Sequence, residues 1–133
     1  MRAVLDSGPL VALWRPREKH QKWAEGVFRR FTGPFYVTEL ILAEVAHLTG
    51  RDREIVAAFK AGRFILGADI VEDLSCIERC CAKYSQCDLA DASIIAASER
   101  FPRLQVITVD RKHFGMYRRS DGSALPLTMP EVE

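Results

Sequence analysis

The sequence predicts an α/β fold, with a mostly parallel sheet covered by helices on both faces. Three observations carry that expectation. Short apolar runs at 2–5, 35–37, 64–66 and 105–108 alternate with longer segments of helical periodicity. Each run is short enough for a buried strand and is followed by a turn or capping residue. With 133 residues, the chain suits one domain, 1–133, with a core of ordinary size.

The elements follow in order. Residues 2–5 read as a first, central strand that stops at Asp6. Ser7-Gly8-Pro9 turns the chain, and Pro9 suits the first position of a helix continued by Leu10, Val11, Leu13 and Trp14. Arg15-Pro16-Arg17 breaks it. A second helix is expected over 20–30, with Trp23, Val27, Phe28 and Phe31 inward. Gly33-Pro34 marks a turn before the strand at 35–37. Thr38 is a natural N-cap for a helix from Glu39 to about Leu48, closed by Gly50. Asp52 is expected to cap a helix over 53–60, ended by Gly62 before the strand at 64–66. A helix over 74–84 places Leu74, Ile77 and Cys81 at core spacing. Asp88 caps the next helix, whose Leu89, Ala92, Ile95, Ala96 and Glu99 recur at helical spacing until Phe101-Pro102 stops it. The strand at 105–108 leads to Asp110 and a short turn with His113-Phe114. Leu125-Pro126-Leu127 reads as an edge strand, where Pro is tolerated.

Composition bounds the function. The chain is 48% hydrophobic and 28% charged, with a formal net charge of +1, so bulk electrostatics make no case for nucleic acid. No apolar run approaches the ~20 residues of a membrane span, and the amino terminus lacks the pattern of a signal peptide, so a cytoplasmic location is expected. Cys76, Cys80, Cys81 and Cys87 crowd into one segment, which suits reduced thiols better than a disulfide framework. No Cys-x-x-Cys pair or nearby His completes a zinc site, so packed, non-catalytic thiols are expected.

Four acids carry the chemistry. Asp6 and Asp110 each follow a different apolar strand, and in open parallel sheets the carboxyl rim is where ligands bind. Right-handed crossovers place the strand ends on that rim, and the two acids meet only if their strands are neighbours. Glu44 interrupts a largely apolar helix, and Asp91 lies in the first turn of another; Asp88 is a possible fifth acid. Taken singly, each has an ordinary role: Asp88 and Asp91 as helix starters, Asp110 as a cap, Glu44 as a solvated charge. Brought together, they would repel and hold protons tightly, and a divalent cation would reverse that. Oxygen-only ligation favours Mg²⁺ or Mn²⁺ over zinc, and such a site activates water beside a phosphodiester.

Four ordered segments give the acids a context: Leu5-Asp6-Ser7-Gly8-Pro9-Leu10-Val11-Ala12-Leu13, Ala43-Glu44-Val45, Leu89-Ala90-Asp91-Ala92-Ser93 and Thr108-Val109-Asp110-Arg111-Lys112-His113-Phe114. Together they resemble the motifs of PIN domains, most closely the toxin halves of VapBC toxin–antitoxin pairs. The resemblance implies a three-layer α/β/α sandwich and Mg²⁺-dependent endoribonuclease activity on RNA. It also implies a homodimer, an inhibitory antitoxin, and Asp6, Glu44, Asp91 and Asp110 as the catalytic, metal-holding acids. Thr108 matches a hydroxyl position beside the site.

Arg15, Arg17, Lys19, Arg111 and Lys112 flank the expected rim, as phosphate-backbone contacts or as solvated surface. His20, His47 and His113 show no mutual metal spacing; His47 is expected near the core and His113 in a turn. Trp14, Trp23, Phe28 and Phe31 fit core or dimer contacts better than base-stacking platforms. A second function class is a non-catalytic RNA-binding or protein-interaction domain, against which the presence of all four acids speaks. A phosphoacceptor receiver would need an adjacent acid pair and a late-strand Lys, which are missing. A haloacid-dehalogenase-like phosphatase would need Asp-x-Asp after the first strand, where position 8 is Gly. No Ser-His or Cys-His nucleophile arrangement is evident.

Overall fold

A computed structural model describes residues 1–132. They form, in order, β1 (Ala3–Leu5), α1 (Ser7–Trp14), α2 (Gln21–Arg30), β2 (Phe35–Val37), α3 (Glu39–Thr49), α4 (Asp52–Lys60) and β3 (Phe64–Leu66). There follow α5 (Leu74–Lys83), α6 (Leu89–Arg100), β4 (Gln105–Ile107), α7 (Arg111–Phe114) and β5 (Leu127–Thr128). The strands make one all-parallel sheet in the order β3-β2-β1-β4-β5, flanked by the helices as a three-layer α/β/α sandwich.

β1 sits in the middle because it can: Ala3, Val4 and Leu5 are all fully buried and carry no polar side chain. It pairs with β2 through Ala3–Phe35 and with β4 through Ala3–Gln105 and Leu5–Ile107. The pairing continues one residue past the strand, where Asp6 N donates to Ile107 O at 3.0 Å. This register sets the backbone of Asp6 level with the end of β4.

α6 packs across β1, β2 and β4 and against α3 and α5. Seven consecutive residues, Ala92 to Ser98, are buried, so this helix is covered on all sides, which its small residues allow. Its two buried serines are satisfied. Ser93 Oγ donates to Ala90 O at 2.7 Å and lies 2.8 Å from Thr38 Oγ1, so Thr38 is the donor in that pair. Arg119 donates to Ser98 Oγ.

The caps at Thr38 and Asp88 form as expected, accepting from Ile41 N and Asp91 N. Other local expectations are corrected. α1 begins at Ser7, so Pro9 is its third residue; the first turn has no intrahelical use for that N–H, and Pro is tolerated there. Asp52 lies inside α4 behind Arg51, where with Glu54 it faces the positive end of the helix dipole. α5 buries Ile77 and Cys80, whereas Leu74 is 56% exposed and Cys81 is exposed, a rotation of one position from the expected face. His47 is exposed on α3 rather than near the core. The short turn expected at His113-Phe114 is present as the single helical turn α7.

The two edges differ. β3 leaves Ile65 and Leu66 partly exposed. On the other side, β5 starts just after Pro126, whose carbonyl accepts from Val106 N at 2.7 Å, so the proline contributes an acceptor and its missing N–H is not needed. Among the described residues, no helix is long and apolar enough to cross a membrane.

Candidate metal centre

The strand order reverses direction at β1. The chain steps outward from β1 to β2 to β3, then returns to the far side of β1 as β4. The carboxyl ends of β1 and β4 therefore border the switch point at which open α/β sheets open a crevice. Asp6 follows β1 directly, and Asp110 follows β4 after Thr108 and Val109. α6 ends as the chain turns back into β4, so its first turn, with Asp91, lies over the same rim. α3 leaves the carboxyl end of β2 and brings Glu44 in from the side.

All four acids line one cavity of about 290 Å³, and Asp88 joins them. Ser7, Gln86 and His113 supply the rest of its polar wall, and no Lys or Arg lines it. Five carboxylates thus share a small space with a single imidazole and no Lys or Arg.

Each inner acid is held by a specific donor. Thr108 Oγ1 donates to Asp6 Oδ2 at 2.7 Å and accepts from Asp110 N at 3.0 Å, tying the ends of β1 and β4 together. Tyr117 OH donates to Asp91 Oδ2 at 2.6 Å. Asp110 Oδ1 caps α7 by accepting from His113 N, and its Oδ2 lies 2.9 Å from His113 Nδ1. Glu44 is exposed at the cavity's mouth.

Burial pushes the Asp6 carboxyl up from 3.8 to about 7; the Thr108 bond opposes this, and Asp91 and Glu44 add to it. Asp91 rises to about 6, again chiefly through burial, with Tyr117 opposing and Asp88 and Asp110 adding. Perturbation of this kind, in a crevice at a switch point, is what a site that binds charge looks like.

The acids do not form a closed cage. Among the described residues, no three His, Cys, Asp or Glu side chains converge as a ready-made metal cluster. Asp6, Asp91 and Asp110 are instead each bonded to a different neighbour, Thr108, Tyr117 and His113. Carboxylate oxygen donors suit a hard cation such as Mg²⁺ or Mn²⁺. Mg²⁺ keeps several waters and is bound through one or two carboxylates plus substrate oxygens, rather than by an all-protein cage. The donor set therefore fits a hard divalent cation, with Asp6, Glu44, Asp91 and Asp110 as the residues that would hold it.

Two side chains that bond the acids were given no such role from the sequence, His113 being read only as a turn residue. His113 stands three residues after Asp110, a spacing that a helical turn brings together, so the signal existed once α7 was recognised. Tyr117 reaches Asp91 across 26 positions, and nothing local marks it. Replacing Tyr117 with Phe should lower stability by about 1.5–3 kcal/mol, the worth of a hydrogen bond to a charged group. Thermal melting checks this, and an unchanged melting temperature would show that Asp91 is not held by the tyrosine.

Gly8 is a second unforeseen requirement. A Cβ at this position would overlap the Val109 side chain. Val is stiff about χ1, so the segment carrying Asp110 would have to move. Gly8→Ala should cost about 1–3 kcal/mol by overpacking and should impair metal binding as well. Isothermal titration with Mn²⁺ beside thermal melting separates the two effects.

Cys76 packs on α6 away from the acid cavity, whereas Cys87 lies beside it, between Gln86 and Asp88. Cys76 Sγ donates to Glu99 Oε2 at 2.7 Å, and Arg79 bridges to the same carboxylate at 3.0 Å. Cys87 is buried near Asp91; burial, with the Asp91 charge, pushes its thiol up to about 12, which keeps it protonated and a poor nucleophile.

No protein-family model matches this chain, and no curated protein matches it significantly.

Proposed function

We propose that this chain is a metal-dependent endoribonuclease of the PIN-domain type, acting as the toxin of a type II, VapBC-like toxin–antitoxin pair. The observation that carries this reading is the cavity at the β1/β4 switch point, lined by five carboxylates and one histidine, with no Lys or Arg. A bound Mg²⁺ or Mn²⁺ would supply charge stabilisation for a phosphodiester and a lowered pKa for attacking water. Asp6, Glu44, Asp91 and Asp110 are the groups that hold it. Thr108 orients Asp6 through its hydroxyl and fixes Asp110 through the backbone. Tyr117 fixes Asp91, and α7 fixes Asp110. The acids are thus placed by rigid elements rather than by a mobile loop, which is what positioning of phosphate and water demands.

A protein partner has separate support. An apolar groove of about 460 Å³ runs between α3 and the loop after β3, lined by Leu40, Ala43, Leu66, Ile70 and Val71. Val71 is 85% exposed, and Leu74 beyond it 56%, so this surface is apolar and uncovered. Ala43, which lines this groove, and Glu44, which lines the acid cavity, are both on α3. An antitoxin segment or a second copy of the chain would find its apolar contact here. The same groove is what favours the second reading, a protein-interaction or RNA-binding domain without catalysis.

Cleavage-site mapping on total RNA tests the choice, with wild type beside Asp6→Asn, in Mg²⁺ and in excess chelator. Discrete cuts that need both Asp6 and metal support the nuclease. Full cleavage in chelator, or by Asp6→Asn, overturns it. Growth arrest relieved by co-expression of the neighbouring small reading frame supports the antitoxin part.

A further inference from the structure

Next to the acid cavity lies a second groove, of about 330 Å³, which the proposed chemistry does not use. Its wall carries Lys19 and His20 from the connection between α1 and α2, Arg111 from the start of α7, and Met129 and Pro130 from the segment after β5. Val109 lines both grooves, so they share a wall, and Arg111 is the chain neighbour of Asp110. One acid, the exposed Glu131, also lines the groove.

The charges are arranged in a particular way. Among the described residues, neither Lys19 nor Arg111 is in an ion pair. Arg111 is not loose, since its Nη2 donates to Pro130 O at 2.7 Å and the guanidinium is held along the groove. A guanidinium fixed by one backbone carbonyl keeps further N–H donors for a planar or tetrahedral anion. Met129, Pro130 and Val109 add an apolar wall on the same groove.

Electrostatics say why such a groove is needed. Five carboxylates repel a polyanion, and a net charge of +1 gives no long-range attraction to offset them. Cations beside the acids would hold the backbone of an approaching RNA strand, adding to the charge of any metal bound among them. The cavity is also small, near the lower bound of ≈300–1,000 Å³ for small-molecule sites.

We infer that this groove is a nucleotide subsite of the proposed nuclease: Lys19 and Arg111 hold the phosphate of a nucleotide flanking the scissile bond, and Val109, Met129 and Pro130 wall its base. The inference rests on the nuclease reading for its substrate, single-stranded RNA. It assigns this groove to RNA backbone, whereas the apolar groove beside α3 is left to a protein partner.

The test uses a short fluorescein-labelled single-stranded RNA and the full chain. Affinity is measured across a salt series, in excess chelator and with Ca²⁺, for wild type, Lys19→Gln, Arg111→Gln and Arg111→Lys. Lys60→Gln, a charge-matched change on α4, serves as control. Each loss of charge in the groove should weaken binding and flatten the dependence of log affinity on log salt by about 0.7. Arg111→Lys should keep that slope, and Lys60→Gln should match wild type. In cleavage assays Lys19→Gln should raise KM and leave kcat near wild type, because it binds ground state and transition state alike. Melting curves exclude misfolding. If wild type cuts RNA and both Gln variants keep its KM and salt slope, the subsite is wrong and the nuclease reading stands. If wild type cuts no RNA but the variants lose affinity and slope, the subsite stands as an RNA-binding groove and the hydrolysis falls. If wild type binds no RNA under any of these conditions, the subsite is overturned.

Discussion

Asp6→Asn is expected to abolish RNA cleavage while making the metal-free protein more stable. The two effects have one cause. Asp6 is 6% exposed, at the end of the central strand, and burial holds its carboxyl at about 7 instead of 3.8. Ionised at about pH 8, it costs the fold on the order of 4 kcal/mol relative to a group with no shift. An amide keeps the shape, and its oxygen still accepts from Thr108 Oγ1, but it carries no charge to desolvate. In chelator the variant should therefore melt well above wild type. Metal binding and cleavage should fall by more than about 100-fold, since loss of a partner outside the ligand shell already costs about 10–100-fold. Asp110→Asn should lose cleavage too, with a smaller stability gain: Asp110 is half-exposed, and Asn caps α7 as well as Asp does. Metal titration, melting in chelator and cleavage, run together on both variants, decide the matter. An Asp6→Asn protein that binds metal and cuts like wild type would sink the proposed site.

Much of this architecture is legible in the chain because its signals are local. The alternation of apolar runs with helical segments predicts the α/β sheet, and the caps at Thr38 and Asp88 are read from single residues and their neighbours. Asp6 and Asp110 stand out because each ends an apolar run. Whether they approach each other depends on β1 and β4 being neighbours, and sheet order is set by packing between elements far apart in the chain. The face of α5 is misjudged by one position because Cys80 and Cys81 are the same residue type, and only tertiary contact chooses between them. Tyr117 is invisible for the same reason: its bond to Asp91 exists only once α6 and the segment after α7 have folded together. The partners of the acids are likewise a tertiary outcome for Asp6 and Asp91, whose donors Thr108 and Tyr117 lie far away in the chain.

The stability of the metal-free chain should fall as pH rises from about 5 to 8, and divalent metal should flatten that dependence. Both shifted acids have folded values above their unfolded ones: Asp6 at about 7 and Asp91 at about 6, against 3.8. Between 3.8 and those values the folded chain binds more protons than the unfolded chain. Stability from these groups is therefore complete below 3.8 and is lost as pH climbs through 6 and 7. For Asp6 alone, the loss between pH ~5 and ~8 is on the order of 3 kcal/mol, or roughly 10 °C in melting temperature for a chain of this length. Asp91 adds to it less strongly, because it is partly open to water. Asp6→Asn should remove most of the slope, and its advantage over wild type should vanish at low pH, where the wild-type carboxyl is neutral as well. Mg²⁺ or Mn²⁺ binds the ionised acids and so stabilises the fold most at high pH, by about 2.7 kcal/mol at a hundred times Kd. The melting temperature of wild type, measured against pH with and without metal, tests all of this. A flat or rising metal-free profile over that interval would show that Asp6 and Asp91 are not crowded, desolvated carboxylates. A profile that metal leaves unchanged would show that they are not where the cation binds.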